Sequence, residues 1–175
     1  GQDSYDSDRF VAVKKMDKLK LFLIYTVSFL LQCTVLNTVA VFGITPNILL
    51  VLTIVYSFFF QKMDGIVFSI LFGLIQDMFF GQVVGISPLI YFAVGMLLKM
   101  VRSVVFRDNK LLLILVTAAA TLFYTAAYWA LNSMMLQADM SLIYWLKSVP
   151  VSIVWNYIVL LLLLPIARKR RGFTT

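Results

Sequence analysis

Six long, mostly apolar runs divide this chain, and the connectors between them are short and basic, polar or glycine-rich. The runs span residues 19–36, 44–61, 64–79, 83–101, 111–131 and 148–167. A run of about 20 apolar residues is what a helix needs to cross a hydrocarbon core about 30 Å thick. Hydrophobic residues make up 62% of the 175-residue chain and charged residues 13%, against about 45–50% and about 25% in soluble domains. One aqueous core cannot hide that much apolar surface, so the bilayer must be the main solvent. In lipid every backbone polar group must be satisfied internally, and helices do this within one segment. The expected fold is therefore all-α, a polytopic bundle of six transmembrane helices.

Charge placement orients the bundle. The chain holds 15 Lys and Arg, 8 Asp, no Glu and no His. With both termini inside, and residues 1–15 set aside, the inner segments hold Lys18, Lys20, Lys62, Lys99, Arg102, Arg107, Lys110, Arg168, Lys169, Arg170 and Arg171. The outer segments then hold Lys147 alone. Cytoplasmic loops carry such an excess of Lys and Arg, so the expectation is N-in and C-in. The net charge of +7 does not point to nucleic acid, because the basic residues sit at the ends of apolar runs. Anionic lipid headgroups are the better partner, above all for the cluster Arg168, Lys169, Arg170 and Arg171.

Residues 1–15 are polar and lack an apolar centre. They read as an appended leader or a disordered N-terminal tail. The single membrane domain is expected over 16–171, with a C-terminal tail at 172–175. No A-x-A-like site follows the first run, which reads as a retained membrane helix rather than a cleaved signal.

The third run is the marginal one. An Asp at a helix centre costs about 2.5–3.5 kcal/mol on the insertion scale, and the eight Leu, Ile, Phe and Val residues around Asp77 return roughly 2.4–4.8 kcal/mol. Asp77 is either a helix lock or partner contact at the outer face, or an interfacial carboxylate solvated at a helix end. Gly73 lies one turn before it on the same face, where a small residue admits a neighbouring backbone. Gly81 and Gly85 flank an uncharged connector, where glycine permits positive φ and a tight turn. Pro46 suits the first turn of the second helix, beside Asn47. Thr117, Thr121 and Thr125 recur at i, i+4 and i+8 on the fifth run as a small polar stripe, a candidate helix-docking face within the chain or for a foreign helix. Asn156, deep in the sixth run, requires a partner such as Gln32, Thr34 or a backbone carbonyl.

Catalytic chemistry is sparse. No P-loop, nucleophile-elbow, zinc-helix or C-x-x-C pattern occurs, and the lack of His and Glu removes the usual acid–base groups and metal ligands. Cys33 is a lone thiol in an apolar run. No metal, no cofactor and no enzymatic activity are expected.

The polar landmarks occur in a recognisable order: Gln32 and Thr34 ending the first helix, FGITPN at 42–47, FGLIQDMFFGQVVG at 72–85, a basic connector reaching Arg107 and Lys110, and a basic C-terminus. Over 16–171 this resembles the MreD family of rod shape-determining proteins. Two departures stand out: Phe80-Gly81 where the family often has Ser-Gly, and no carboxylate in the fifth helix, where Tyr124 and Thr125 stand instead. The resemblance implies a non-catalytic subunit of the bacterial elongation machinery in the cytoplasmic membrane. It would act with MreC, through that protein's membrane helix, and with MreB, RodA and a class B penicillin-binding protein. It also implies a fold similar to the S components of energy-coupling-factor transporters. That opens a second reading, a small-molecule-binding S component whose outer pocket would draw on Asn37, Asn132, Trp129 and Trp145.

Overall fold

A computed structural model describes residues 2–34, 38, 40, 43–60, 62–104, 110–137 and 141–169, with backbone alone for 2–16, 110 and 166–169. Six helices follow in order: α1 (Gln2–Thr34), α2 (Ile48–Phe59), α3 (Met63–Phe80), α4 (Ile86–Val104), α5 (Lys110–Leu136) and α6 (Leu142–Lys169). Four of them, over Met63–Phe80, Ile86–Val104, Leu111–Leu136 and Leu142–Pro165, are long and apolar enough to cross a membrane.

The second run does not form the full span expected from its length. Its helix begins at Ile48 and ends at Phe59, which is about 18 Å at 1.5 Å per residue. It is capped by Asn47, whose side chain accepts from the Leu50 N–H. Pro46 therefore precedes the cap instead of occupying the first turn. The cause is local: the residue before a proline is pushed out of the helical region, and asparagine is among the strongest N-caps.

This short helix is the centre of the molecule. Every residue from Ile48 to Val55 is buried, and α2 touches each of the other five helices. A helix apolar all round belongs inside. Its last turn widens into a π-helix over Val55–Phe59, where the Phe60 N–H reaches the Val55 carbonyl at 3.2 Å. At that end the Arg102 guanidinium lies 5.3 Å from the Phe58 ring centre.

Glycines set how closely α3 and α4 approach the centre. A methyl group on Gly95 would stand 2.9 Å from Ile66 and 3.2 Å from Ser57 Oγ. Gly65 faces Tyr56 of α2 as tightly. A polar cluster ties α1, α2 and α3 together. Tyr25 of α1 donates to the Gly65 carbonyl and meets Ser69 Oγ, each at 2.8 Å, and Thr53 of α2 donates to Ser69 at 2.7 Å.

The helix of residues 2–16 runs on into the first apolar run; Asp3, Asp6 and Asp8 stand near its N-terminus, where acidic residues favour the helix. The loop expected at 132–147 shrinks, because α5 continues to Leu136 and α6 starts at Leu142. Residues 142–145 are thus the first turn of α6.

Lipid tails are as apolar as leucine, so core packing here contributes through contact and the absence of cavities more than through transfer from water. Leu50→Ala in α2 is expected to cost at least about 2 kcal/mol, the low end for buried leucines. Leu71→Ala on the exposed face of α3 is expected to stay within about 0.5 kcal/mol. Thermal unfolding of the two variants in detergent measures the difference; equal melting shifts would contradict a central α2.

Candidate functional site

The N-terminus of α2 lies inside the protein, and its first N–H groups have no partner within the helix. Side chains from the whole bundle supply them. Asn47 Oδ1 accepts from the Leu50 N–H at 3.0 Å, Gln32 Oε1 of α1 accepts from the Leu49 N–H at 3.2 Å, and Asn156 Oδ1 of α6 accepts from the Asn47 N–H at 2.9 Å. The Tyr91 hydroxyl of α4 lies 3.0 Å from Asn47 Oδ1 and 3.3 Å from Gln76 Oε1 of α3. Asn156 Nδ2 donates to Thr121 Oγ1 of α5 at 3.1 Å. Each of the six helices or its cap thus contributes to one hub: Gln32, Asn47, Gln76, Tyr91, Thr121 and Asn156. All six are uncharged.

In membrane transporters the N-terminus of a broken helix near the midplane commonly points at an anionic substrate group. Here the Asn47, Leu49 and Leu50 N–H groups are taken by the protein's own amide oxygens. The hub has the geometry of a binding site and the contents of a lock.

Asp77 forms a second lock. Its side chain is 2% exposed, so it is not the solvated carboxylate of the bland alternative. Oδ2 accepts from the Gly85 N–H at 3.1 Å and the Ser87 N–H at 2.8 Å. It therefore caps the start of α4 from the end of α3, where the helix dipole favours a negative charge. Pro88 follows without an N–H, and the Leu89 N–H reaches the Gly85 carbonyl at 3.4 Å, so the first turn of α4 fits around this one carboxylate.

The glycines of this corner play different parts. Gly85 has φ +105°, a conformation that side chains disfavour. Gly81 has φ −80°, so it does not supply the positive φ expected of it; a methyl group there would stand 2.7 Å from the Asp77 carbonyl oxygen. At Gly73 it would stand 2.6 Å from the Tyr91 ring and 3.2 Å from the Pro88 nitrogen. Gly73 thereby lets α4 approach and sets Tyr91 toward the hub.

The threonine stripe faces inward. Thr117 and Thr121 are fully buried. Thr117 donates to the Leu113 carbonyl at 2.8 Å, and Thr125 to the Thr121 carbonyl at 2.9 Å. Thr121 is occupied by Asn156, neither Thr117 nor Thr121 reaches the surface, and Thr125 is part-buried. Asn156 itself pairs with Asn47 and Thr121, not with Gln32 or Thr34. Asn132 donates to the Tyr128 carbonyl at 2.9 Å, and Trp129 and Trp145 pack 5.9 Å apart. Arg168 and Lys169 end α6; Arg170, Arg171, Arg107 and Asn37 lie outside the described residues.

Two hub members, Gln76 and Tyr91, escape a reading by sequence. Gln76 carries a signal, an amide beside Asp77 in an apolar run. Tyr91 carries none, since a tyrosine in a membrane helix is most simply a belt residue.

Among the described residues no group of three or more His, Cys, Asp or Glu side chains is placed to hold a metal ion. Asp77→Leu would leave the Gly85 and Ser87 N–H groups unpaired in a buried corner, at about 1–3 kcal/mol each. Asp77→Asn keeps an acceptor oxygen and is expected to lose markedly less. Unfolding midpoints of the two variants in detergent check this, and equal losses would argue against the capping role.

A family model described as rod shape-determining protein MreD matches residues 14–170 of the chain. No curated protein and no solved structure matches it.

Proposed function

The chain belongs to the rod shape-determining protein MreD family, and from that premise we propose that it is a non-catalytic scaffold subunit of the bacterial cell-elongation complex. The family places it in rod shape determination. The finer reading is an adaptor in the cytoplasmic membrane, with six membrane-embedded helical segments and both termini inside. It docks the membrane helix of MreC and, through the wider complex with MreB, RodA and a class B penicillin-binding protein, helps control peptidoglycan synthesis. Anionic lipids hold its basic C-terminal end.

The observation that carries this reading is the use made of the buried polar groups. The hub and the Asp77 corner use their hydrogen bonds to join helices to one another. Such an interior fixes the shape of an exterior. The partner's helix must then meet the lipid-facing surface rather than the threonine stripe. On α1 that surface carries Leu19, Phe22, Leu23, Val27, Leu30 and Leu31, all exposed, and among the described residues α1 packs on α2 and α3.

The S-component reading keeps one supporting observation, an aromatic cavity between α5 and α6, but the filled hub argues against an anionic substrate at the broken helix.

Co-expression with MreC from the same organism, followed by detergent purification on a single tag, tests the adaptor reading. Co-elution at fixed stoichiometry is expected, and Asp77→Leu is expected to weaken it while the chain still inserts. Elution of the wild-type chain alone would overturn the adaptor reading, and unchanged co-elution of Asp77→Leu would remove that corner from the partner surface's support.

A further inference from the structure

Two helical faces meet near the Leu136 end of α5 and the Leu142 end of α6, around a half-open cavity of about 270 Å³. Five of its lining residues are aromatic: Tyr124, Tyr128 and Trp129 from α5, and Tyr144 and Trp145 from α6. The other three are a threonine and two serines, and its wall is almost entirely carbon. Among the described residues no Leu, Ile, Val or Met lines it, which separates it from a slot for an acyl chain.

The rings are held in place. Tyr124 and Tyr128 stack at 5.9 Å with planes 16° apart, and Trp129 and Trp145 lie 5.9 Å apart, tilted by 36°. Trp145 Nε1–H donates to the Thr125 carbonyl at 3.1 Å, so that donor is committed to the protein and the indole is oriented. What the cavity offers a guest is aromatic surface. Ring faces carry the negative part of the quadrupole and attract cations, Trp most strongly. Among the described residues no Lys or Arg lines the cavity. The volume falls below the roughly 300–1,000 Å³ of drug-sized sites and suits a headgroup-sized ion.

We propose that this cavity is an aromatic cage for a small organic ammonium group, of the quaternary or methylated-amine type. The group is carried either on a lipid headgroup or on a free amine. On the topology read above the cage stands at the outer membrane interface, where both sources meet the protein.

Two of the three tryptophans of the chain line the cage, so intrinsic fluorescence reports on it. The test uses the full chain in a maltoside detergent, which carries no ammonium group. It is titrated with choline, with dihexanoylphosphatidylcholine below its micelle concentration, and with 3,3-dimethylbutan-1-ol, the neutral isostere of choline. A saturable change with either cation source, at least tenfold tighter than with the neutral alcohol, is expected. Trp145→Phe, which keeps a ring but weakens its pull on a cation, is expected to loosen binding several-fold. Binding of choline assigns the cage to free amines, and binding of the short lipid alone assigns it to headgroups. An alcohol that binds as well as choline would make the cavity merely apolar and overturn the proposal. So would the lack of any saturable change.

Discussion

A helix that begins inside a membrane protein has N–H groups and no water to satisfy them, and this one constraint organises the chain. The start of α2 is buried, and each unpaired N–H there would cost several kcal/mol in hydrocarbon surroundings. Three side chains pay that cost: Asn47 from its own cap, Gln32 from α1 and Asn156 from α6, while the Tyr91 hydroxyl of α4 donates to the capping Asn47 Oδ1. Gln76 and Thr121 then satisfy Tyr91 and Asn156. Because every helix enters the same network, no helix can rotate about its axis without breaking a bond in another. Apolar packing alone specifies this poorly in lipid, where leucine has no preference between protein and acyl chains.

The Asp77 corner applies the same physics at the start of α4, with a charge in place of amides. A carboxylate is costly at membrane depth, yet here it meets two N–H groups and the positive end of a helix. Gly85 provides the positive φ that turns its N–H toward Asp77, and Gly73 allows α4 close enough for the turn to reach. The corner also bears on the hub, because Gly73 contacts Tyr91 and Gln76 adjoins Asp77 along α3. The two locks are thus parts of one assembly across α3 and α4.

The helical class, the membrane environment and the polar landmarks were legible in the sequence, because run length and charge placement are set by the bilayer itself. The fate of the second run was not. Its apolar residues are as long a stretch as a span requires, and only Pro46-Asn47 signals that the helix starts late; hydropathy measures apolarity and cannot tell a helix facing lipid from one enclosed by five others. The Asp77 lock was half legible. An acid followed by two glycines marks a corner, but which N–H groups it reaches depends on the approach of α4. The inward turn of Thr117 and Thr121 was open for a similar reason, since a small polar stripe serves an internal and an external helix equally well. Gln76 and Tyr91 show the limit most clearly. A hub assembled from six separate segments leaves no spacing in any one of them.

An interior of this kind constrains function by what it leaves available. The hub could take an anionic ligand only by breaking bonds that hold α1, α4 and α6 to α2, so occupancy there and integrity of the bundle oppose each other. A transporter resolves that opposition by moving between states. A scaffold avoids it by leaving the hub closed and presenting a constant outer surface to a partner's helix. The neutral, mutually satisfied contents of the hub fit the second case. They also separate the hub from the aromatic cavity near the ends of α5 and α6, whose rings line open space. Rigidity at the start of α2 and receptivity between α5 and α6 are compatible because Tyr91, Tyr124 and Tyr128 stack in sequence between them. The same ladder of rings that closes the hub on one side forms the wall of the cavity on the other.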